Sequence, residues 1–175
     1  MKTAAILIPL AALALSGCYE KGSKPMAFDP DFQQRVQDTV AGHLRRTLAG
    51  LPPGTMIDSR RFAGSGHNSP CDDTSSDSTA PIRFHTVGEL KIPHEAESTD
   101  AIRTAGQIWQ DWGWQVVERD GFRTPNRFGN SPDGYRLQIV ATVPGHPPTV
   151  QASSPCFARP MAREGLPFPE IITAG

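Results

Sequence analysis

Apolar residues recur every four positions between 32 and 48: Phe32, Val36, Val40, Leu44 and Leu48. That period puts all five on one stripe of a helix and predicts a helix over 30–49, with Gln33, Gln34, Asp38, Arg45 and Arg46 off the stripe. Asp29 suits the N-cap and Pro30 the first helical position. Gly50 is expected to end the helix in a left-handed conformation, and the prolines of "LPPGT" prevent its resumption. A second helical period runs from Ser98 to Trp112. Ala101, Ala105, Ile108 and Trp112 share its stripe, Ile102 and Trp109 lie beside it, Ser98 or Thr99 caps it and Gly113 breaks it.

Elsewhere the period is two. In 82–92, Ile82, Phe84, Thr86, Gly88, Leu90 and Ile92 take one face and Arg83, His85, Val87, Glu89 and Lys91 the other. In 135–143, Tyr135, Leu137, Ile139, Ala141 and Val143 alternate with Arg136, Gln138, Val140 and Thr142. β-Branched residues mark "WQVVERD" (114–120) as a strand, and after 135–143 the turn "PGHPP" lets "TVQASSPCF" (149–157) return as the partner of that strand. Residues 55–67 form a strand of poor alternation. The stretch "NSPCDDTSSDSTAP" (68–81) is a polar loop, "GFRTPNRFGNSPDG" (121–134) a long turn or hairpin connection, and 158–175 a proline-rich irregular tail. The predicted order is α-β-β-α-β-β-β. No strand–helix–strand alternation calls for a parallel sheet, so the expected fold is α+β: an antiparallel sheet of about five strands with two helices on one face.

The N-terminal pattern differs from all of this. Residues 4–15 are almost entirely apolar after a single Lys2, and the chain turns polar directly after Leu15-Ser16-Gly17-Cys18. Twelve residues are too few for a bilayer-spanning helix, which needs about 20. A basic start, a short apolar run and small residues before a cleavage point describe a secretory signal peptide. Leu15-Ser16-Gly17-Cys18 resembles the lipobox of bacterial lipoproteins. That resemblance implies a diacylglyceryl group on Cys18 and cleavage before it, so that two acyl chains supply the membrane affinity. The expected organisation is a signal peptide over 1–17, a lipidated tether over 18–28, one α+β domain over 29–157 and the tail over 158–175.

Composition adds bounds. Once Lys2 leaves with the leader, the 17 basic residues become 16 against 18 acidic ones. Nothing there favours nucleic acid or another polyanionic partner. Of three cysteines, Cys18 is taken by lipid. Cys71 and Cys156 are then an even pair in an exported domain, where disulfides persist, and a Cys71–Cys156 bond is expected.

The order of features also has a family look. A lipobox, an amphipathic helix, a cysteine in a mid-chain loop, a second helix leading to "GWQVV", then "DGYRLQIVAT" and "SSPCF", is similar to the LppA-like group of mycobacterial lipoproteins. The resemblance supports the address, the fold and the cysteine pairing. That group has no assigned activity, so it implies no catalytic residue.

Candidate chemistry is sparse. "HNSPCDD" (His67 to Asp73) holds imidazole, thiol and carboxylates, but its spacing matches no paired metal-ligand pattern, and a disulfide consumes Cys71. A thiolate on Cys156 with His85 or His146 requires a free cysteine. The glycines of "GSG" (Gly64–Gly66) are too few for a nucleophile elbow and precede no helix. Glu95, Glu97 and Asp100 suit the start of a helix. "TSSDST" (Thr74–Thr79) is a solvated loop or an acceptor of O-linked sugar. Trp109, Trp112 and Trp114 lie within six residues; packing of helix on sheet is the plainer account, and a recognition surface is the functional one. The sequence therefore points to a membrane-anchored, non-enzymatic binding module on the extracytoplasmic face of the cell membrane, with an envelope protein or lipid as partner, no cofactor and no metal. A carrier of a small apolar or lipidic ligand is the alternative, and a hydrolase follows.

Overall fold

The computed structural model describes residues 29, 31–72, 74, 77–93 and 97–175. The expected signal peptide, Cys18 and most of the tether lie outside the described residues, as do Pro30, Asp73, Ser75, Ser76 and Glu95. Over the described ones the elements are α1 (Phe32–Ala49), β1 (Met56–Asp58), β2 (His67–Pro70), β3 (Ile82–Lys91), α2 (Ser98–Asp111), β4 (Gln115–Val117), β5 (Asn126–Asn130), β6 (Arg136–Val140), β7 (Thr149–Ser153) and β8 (Ile171–Ile172). A 3-10 turn spans Arg159–Met161.

The class is α+β and every strand pair is antiparallel. The sheet has eight strands rather than about five, in the order β4-β5-β6-β7-β3-β1-β8, with β2 also on β3. β3 is long enough to serve two partners on one edge: His85 lies between Ser153 of β7 and His67 of β2, and Glu89 between Thr149 of β7 and Asp58 of β1. The three unexpected strands sit where loop or tail is the natural reading of the sequence. β2 opens the polar stretch, β5 crosses the supposed connection 121–134, and β8 ends the tail. Conversely, the strand expected over 55–67 shrinks to the three residues of β1 and the start of β2.

Both helices lie on the same face of the sheet. The α1 stripe of Val36, Val40, Leu44 and Leu48 is buried with Phe84, Leu90, Leu137, Ile139, Val150 and Ala152 of the strands and Ile102, Ala105 and Trp109 of α2. The indole Nε1 of Trp109 donates to Thr47 Oγ1 at 3.0 Å and ties the two helices together. Gly129 of β5 lets that indole approach, since a Cβ there would stand 2.8 Å from Trp109 Cε3.

Helix ends differ from expectation. Asp29 accepts from the Asp31 amide at 3.0 Å and pairs with Arg35, which orders the approach to α1, but the helix starts at Phe32 with no side-chain cap bond. Glu97, not Ser98 or Thr99, occupies the N-cap of α2. Gly50 has φ −97°, so it is not left-handed. Its missing side chain makes room for α2 instead: a Cβ would stand 2.6 Å from Ile108 Cδ1. Gly113, at φ +79°, does take the left-handed form after α2.

The tail docks. Ile172 is buried and pairs with Ile57, the Ser59 amide donates to Glu170 O at 2.8 Å, and Phe168 packs on Phe84 with ring centroids 4.9 Å apart. Cys71 and Cys156 form the expected disulfide, with Cα atoms 6.1 Å apart. It fastens the loop before β3 to the segment after β7, beside the bridge between Ile82 and Phe157.

Candidate functional site

With the helices on one face, alternate residues of each strand point to the other, which carries no helix among the described residues. Antiparallel register aligns them into rows. The first row crosses six strands as Gln115, Asn130, Arg136, Ser153, His85 and His67. The second runs Val117, Phe128, Gln138, Gln151 and Val87. The third runs Asn126, Val140, Thr149, Glu89 and Asp58. Directly opposed residues stand about 5 Å apart, so each row is a continuous strip of side chains.

Charge divides these rows. The acids of the third row are already paired, Glu89 with Arg61 (2.6 Å) and Lys91, and Asp58 with Arg60 (2.7 Å). The Arg60 guanidinium holds the Asp58 carboxyl down at about 2. Asn130, Arg136, Ser153 and His85 of the first row and Phe128, Gln138 and Gln151 of the second line a recess of about 200 Å³ together with Arg83 and Arg119. Among the described residues its lining contains three arginines and one histidine and no carboxylate. Glu118, next to Arg119 in the chain, pairs with Arg127 at 2.6 Å.

Arg119 and Arg83 are each positioned by an identifiable contact. Arg119 lies in the β4–β5 loop, which the fully buried Asn126 clamps by accepting from the Arg119 amide at 2.8 Å and donating to Arg119 O at 3.0 Å and Arg123 O at 3.3 Å. Its guanidinium sits 4.3 Å over the Phe128 ring, a cation–π contact that leaves the N–H edges free to donate. Arg83 donates to Cys71 O at 3.4 Å, so the disulfide loop steadies it. Arg136 opens β6, and among the described residues no carboxylate pairs with it or with Arg119. His85 and His67 meet edge to face at 4.3 Å. Burial chiefly, with His67 and Arg83 adding to it, pushes the His85 imidazole below its ordinary value. Guanidinium groups beside neutral imidazole, amide and hydroxyl donors make an anion-accepting surface.

The residues singled out from the sequence fall elsewhere, with one exception. Trp109 is 1% and Trp114 8% exposed, so the three tryptophans do not form a shared recognition surface. Trp112 is half-buried in the seam between the helices, capped by Arg46 at 4.2 Å and near His43. The bonded Cys71 and Cys156 offer no thiolate, and among the described residues no group of three or more His, Cys, Asp or Glu is placed to hold a metal ion. Gly64 and Gly66 are turn residues with positive φ before β2. Thr74 and Thr79 bond to Asp72 and Asp77 within the loop, and Asp100 pairs with Arg103 on α2. His85 is the exception, since it lines the recess; His146 lies apart in the β6–β7 turn, where Thr142 donates to its carbonyl. Arg119, Phe128, Arg136, Gln138 and Gln151 were not singled out by sequence. The signal for Arg136, Gln138 and Gln151 is the polar half of the alternation in 135–143 and 149–157, which shows a face but not which strands share it; Arg119 and Phe128 carry no such signal.

No family model, curated protein or solved structure matches the chain.

Proposed function

We propose that the chain is a lipid-anchored binding module on the extracytoplasmic face of the cell membrane, and that its open sheet face recognises an anionic group, phosphate or carboxylate, on an envelope component. One observation carries the binding part: a sheet covered on one face only, whose open face aligns arginine, histidine and amide side chains around a recess without a carboxylate. The lipobox-like Leu15-Ser16-Gly17-Cys18 supports the anchor, and the resemblance to LppA-like lipoproteins belongs to the same proposal. The module is non-enzymatic in this reading, which takes Ser153 and His85, neighbours in the first row, as donors to the bound anion.

Two measurements test it. Protein extracted from membranes is expected to begin at Cys18 with a diacylglyceryl adduct in its intact mass, and Cys18→Ala to release the domain from the membrane; an unmodified cysteine behind a retained leader refutes the anchor. For the binding half, calorimetric titration of residues 19–175 with pyrophosphate should show affinity that falls about tenfold in Arg136→Ala, the loss of about 1.4 kcal/mol that one charged hydrogen bond supplies. Unchanged affinity in that variant, or none in the parent, refutes the assignment of the face.

A further inference from the structure

α1 turns two glutamines inward. Gln33 is 1% and Gln37 4% exposed, against the expectation that Gln33 lies off the buried stripe. A buried amide is costly unless its donors and acceptors are matched. Gln33 meets this with a reciprocal pair to Asn68 of β2: its Nε2 donates to Asn68 Oδ1 at 3.1 Å, and Asn68 Nδ2 donates back to Gln33 Oε1 at 3.2 Å. Gln37 does not. Its Oε1 is buried without a hydrogen-bond partner. A methionine or leucine there would extend the stripe of Val36, Val40 and Leu44 at no polar cost.

The three amides line one recess of about 360 Å³, bounded by α1, β2 and residues 163–166 of the C-terminal segment. That volume falls in the range of small-molecule sites, about 300–1,000 Å³. Phe84 lies beneath it, and the charges at its rim, Arg163 and Glu164, are opposite in sign. The polar part of the wall is thus the three amides and the His67 imidazole, with one charge of each sign at the rim. Hydroxyl groups match such a wall, since each both donates and accepts. A phosphate or carboxylate would instead call for a surplus of cationic donors.

We infer that this recess is a second binding site, distinct from the open sheet face, which takes a neutral polyhydroxylic ligand such as a single saccharide unit, the Gln37 side chain turning so that Oε1, buried in the unliganded protein, accepts from one of its hydroxyls. The inference stands on the amide cluster alone and does not depend on the anion-binding role of the other face.

The test is a titration of ¹⁵N-labelled residues 19–175 with galactose, arabinose, mannose and N-acetylglucosamine in turn, at up to tens of millimolar. At least one sugar should shift the side-chain NH₂ signals of Gln33, Gln37 and Asn68 and the backbone amides of Gly66 and Gly165, while the signals of Arg136 and Gln151 stay still. Gln37→Met should melt at the same or a higher temperature and weaken that sugar at least tenfold. Three results overturn the inference: no sugar shifts these signals, N-acetyl-alanyl-alanine amide shifts them in place of the sugars, or Gln37→Met binds as tightly as the parent. The titration of the unaltered protein decides the matter even where the variant does not fold.

Discussion

Two glycine-to-alanine substitutions, both at the contact between α2 and the sheet, should have opposite consequences. At Gly129 the added Cβ would stand 2.8 Å from Trp109 Cε3, 3.2 Å from Trp109 Cδ2 and 3.3 Å from Trp114 Cε3. Carbon atoms prefer about 3.5–4.0 Å. The obstructing atoms belong to fused rings, and the Trp109 indole cannot swing away without losing its bond to Thr47. Overpacking of this kind costs about 1–3 kcal/mol. At Gly106 the added Cβ would be no farther from its neighbours, 2.7 Å from both Cγ and Cδ of Arg127. Those atoms belong to a flexible arm whose guanidinium is held at the far end by Glu118, and alanine contributes about 1 kcal/mol of helix propensity over glycine in α2. Its net effect should be near zero. Urea unfolding followed by tryptophan emission and far-ultraviolet circular dichroism reads both. With a denaturant slope of about 1–3 kcal/mol per molar, Gly129→Ala should lower the midpoint by roughly 1 M and Gly106→Ala by a few tenths at most. Equal midpoints, or a larger loss at Gly106, would refute the argument that rigidity of the neighbour and not distance decides the cost.

Three further outcomes follow from the fold. Breaking the Cys71–Cys156 bond, whose partners are 85 residues apart, should destabilise the domain by about 4–5 kcal/mol on the chain-entropy account; a Cys71→Ser/Cys156→Ser protein within 1 kcal/mol of the parent in urea unfolding would contradict this. His43 and His85 are both held below 6.5, chiefly by burial. The unfolded chain therefore takes up protons first, so their contribution is complete above about pH 6.5 and is lost as pH falls below it. The urea midpoint should drop between about pH 7.5 and about pH 5, less so in His85→Gln, and a midpoint that rises toward acid would contradict it. Because a bound anion favours the imidazolium, affinity for sulfate, whose charge is constant over this range, should increase over the same fall in pH, whereas a pH-independent affinity would remove His85 from the site.

Legibility in the sequence followed the purity of each pattern. α1, α2, β3 and β6 carry clean periods, and the structure places them within a few residues of their expected bounds. β5 was illegible because its helix-facing positions are Arg127 and Gly129: one lies alongside Gly106 and the other makes space for Trp109, so neither gives an apolar signal. β2, "HNSP", places Asn68 toward the helices to pair with Gln33, which again hides the strand in polar residues. β8 is two residues long, too short for any period. The candidate site was half legible. Alternation in 82–92 showed that Arg83 and His85 share a face, but the row from Gln115 to His67 depends on strand order and register, which no single segment encodes.

The measurement closest to the central claim is a map of where an anion binds. Pyrophosphate would be titrated into ¹⁵N-labelled residues 19–175, and every assigned amide followed. The account predicts shifts concentrated at residues 83–87 of β3, Phe128 of β5, 136–138 of β6 and 151–153 of β7, and their loss in Arg136→Ala. Shifts confined to the outward faces of α1 and α2, or an unchanged spectrum, would contradict it.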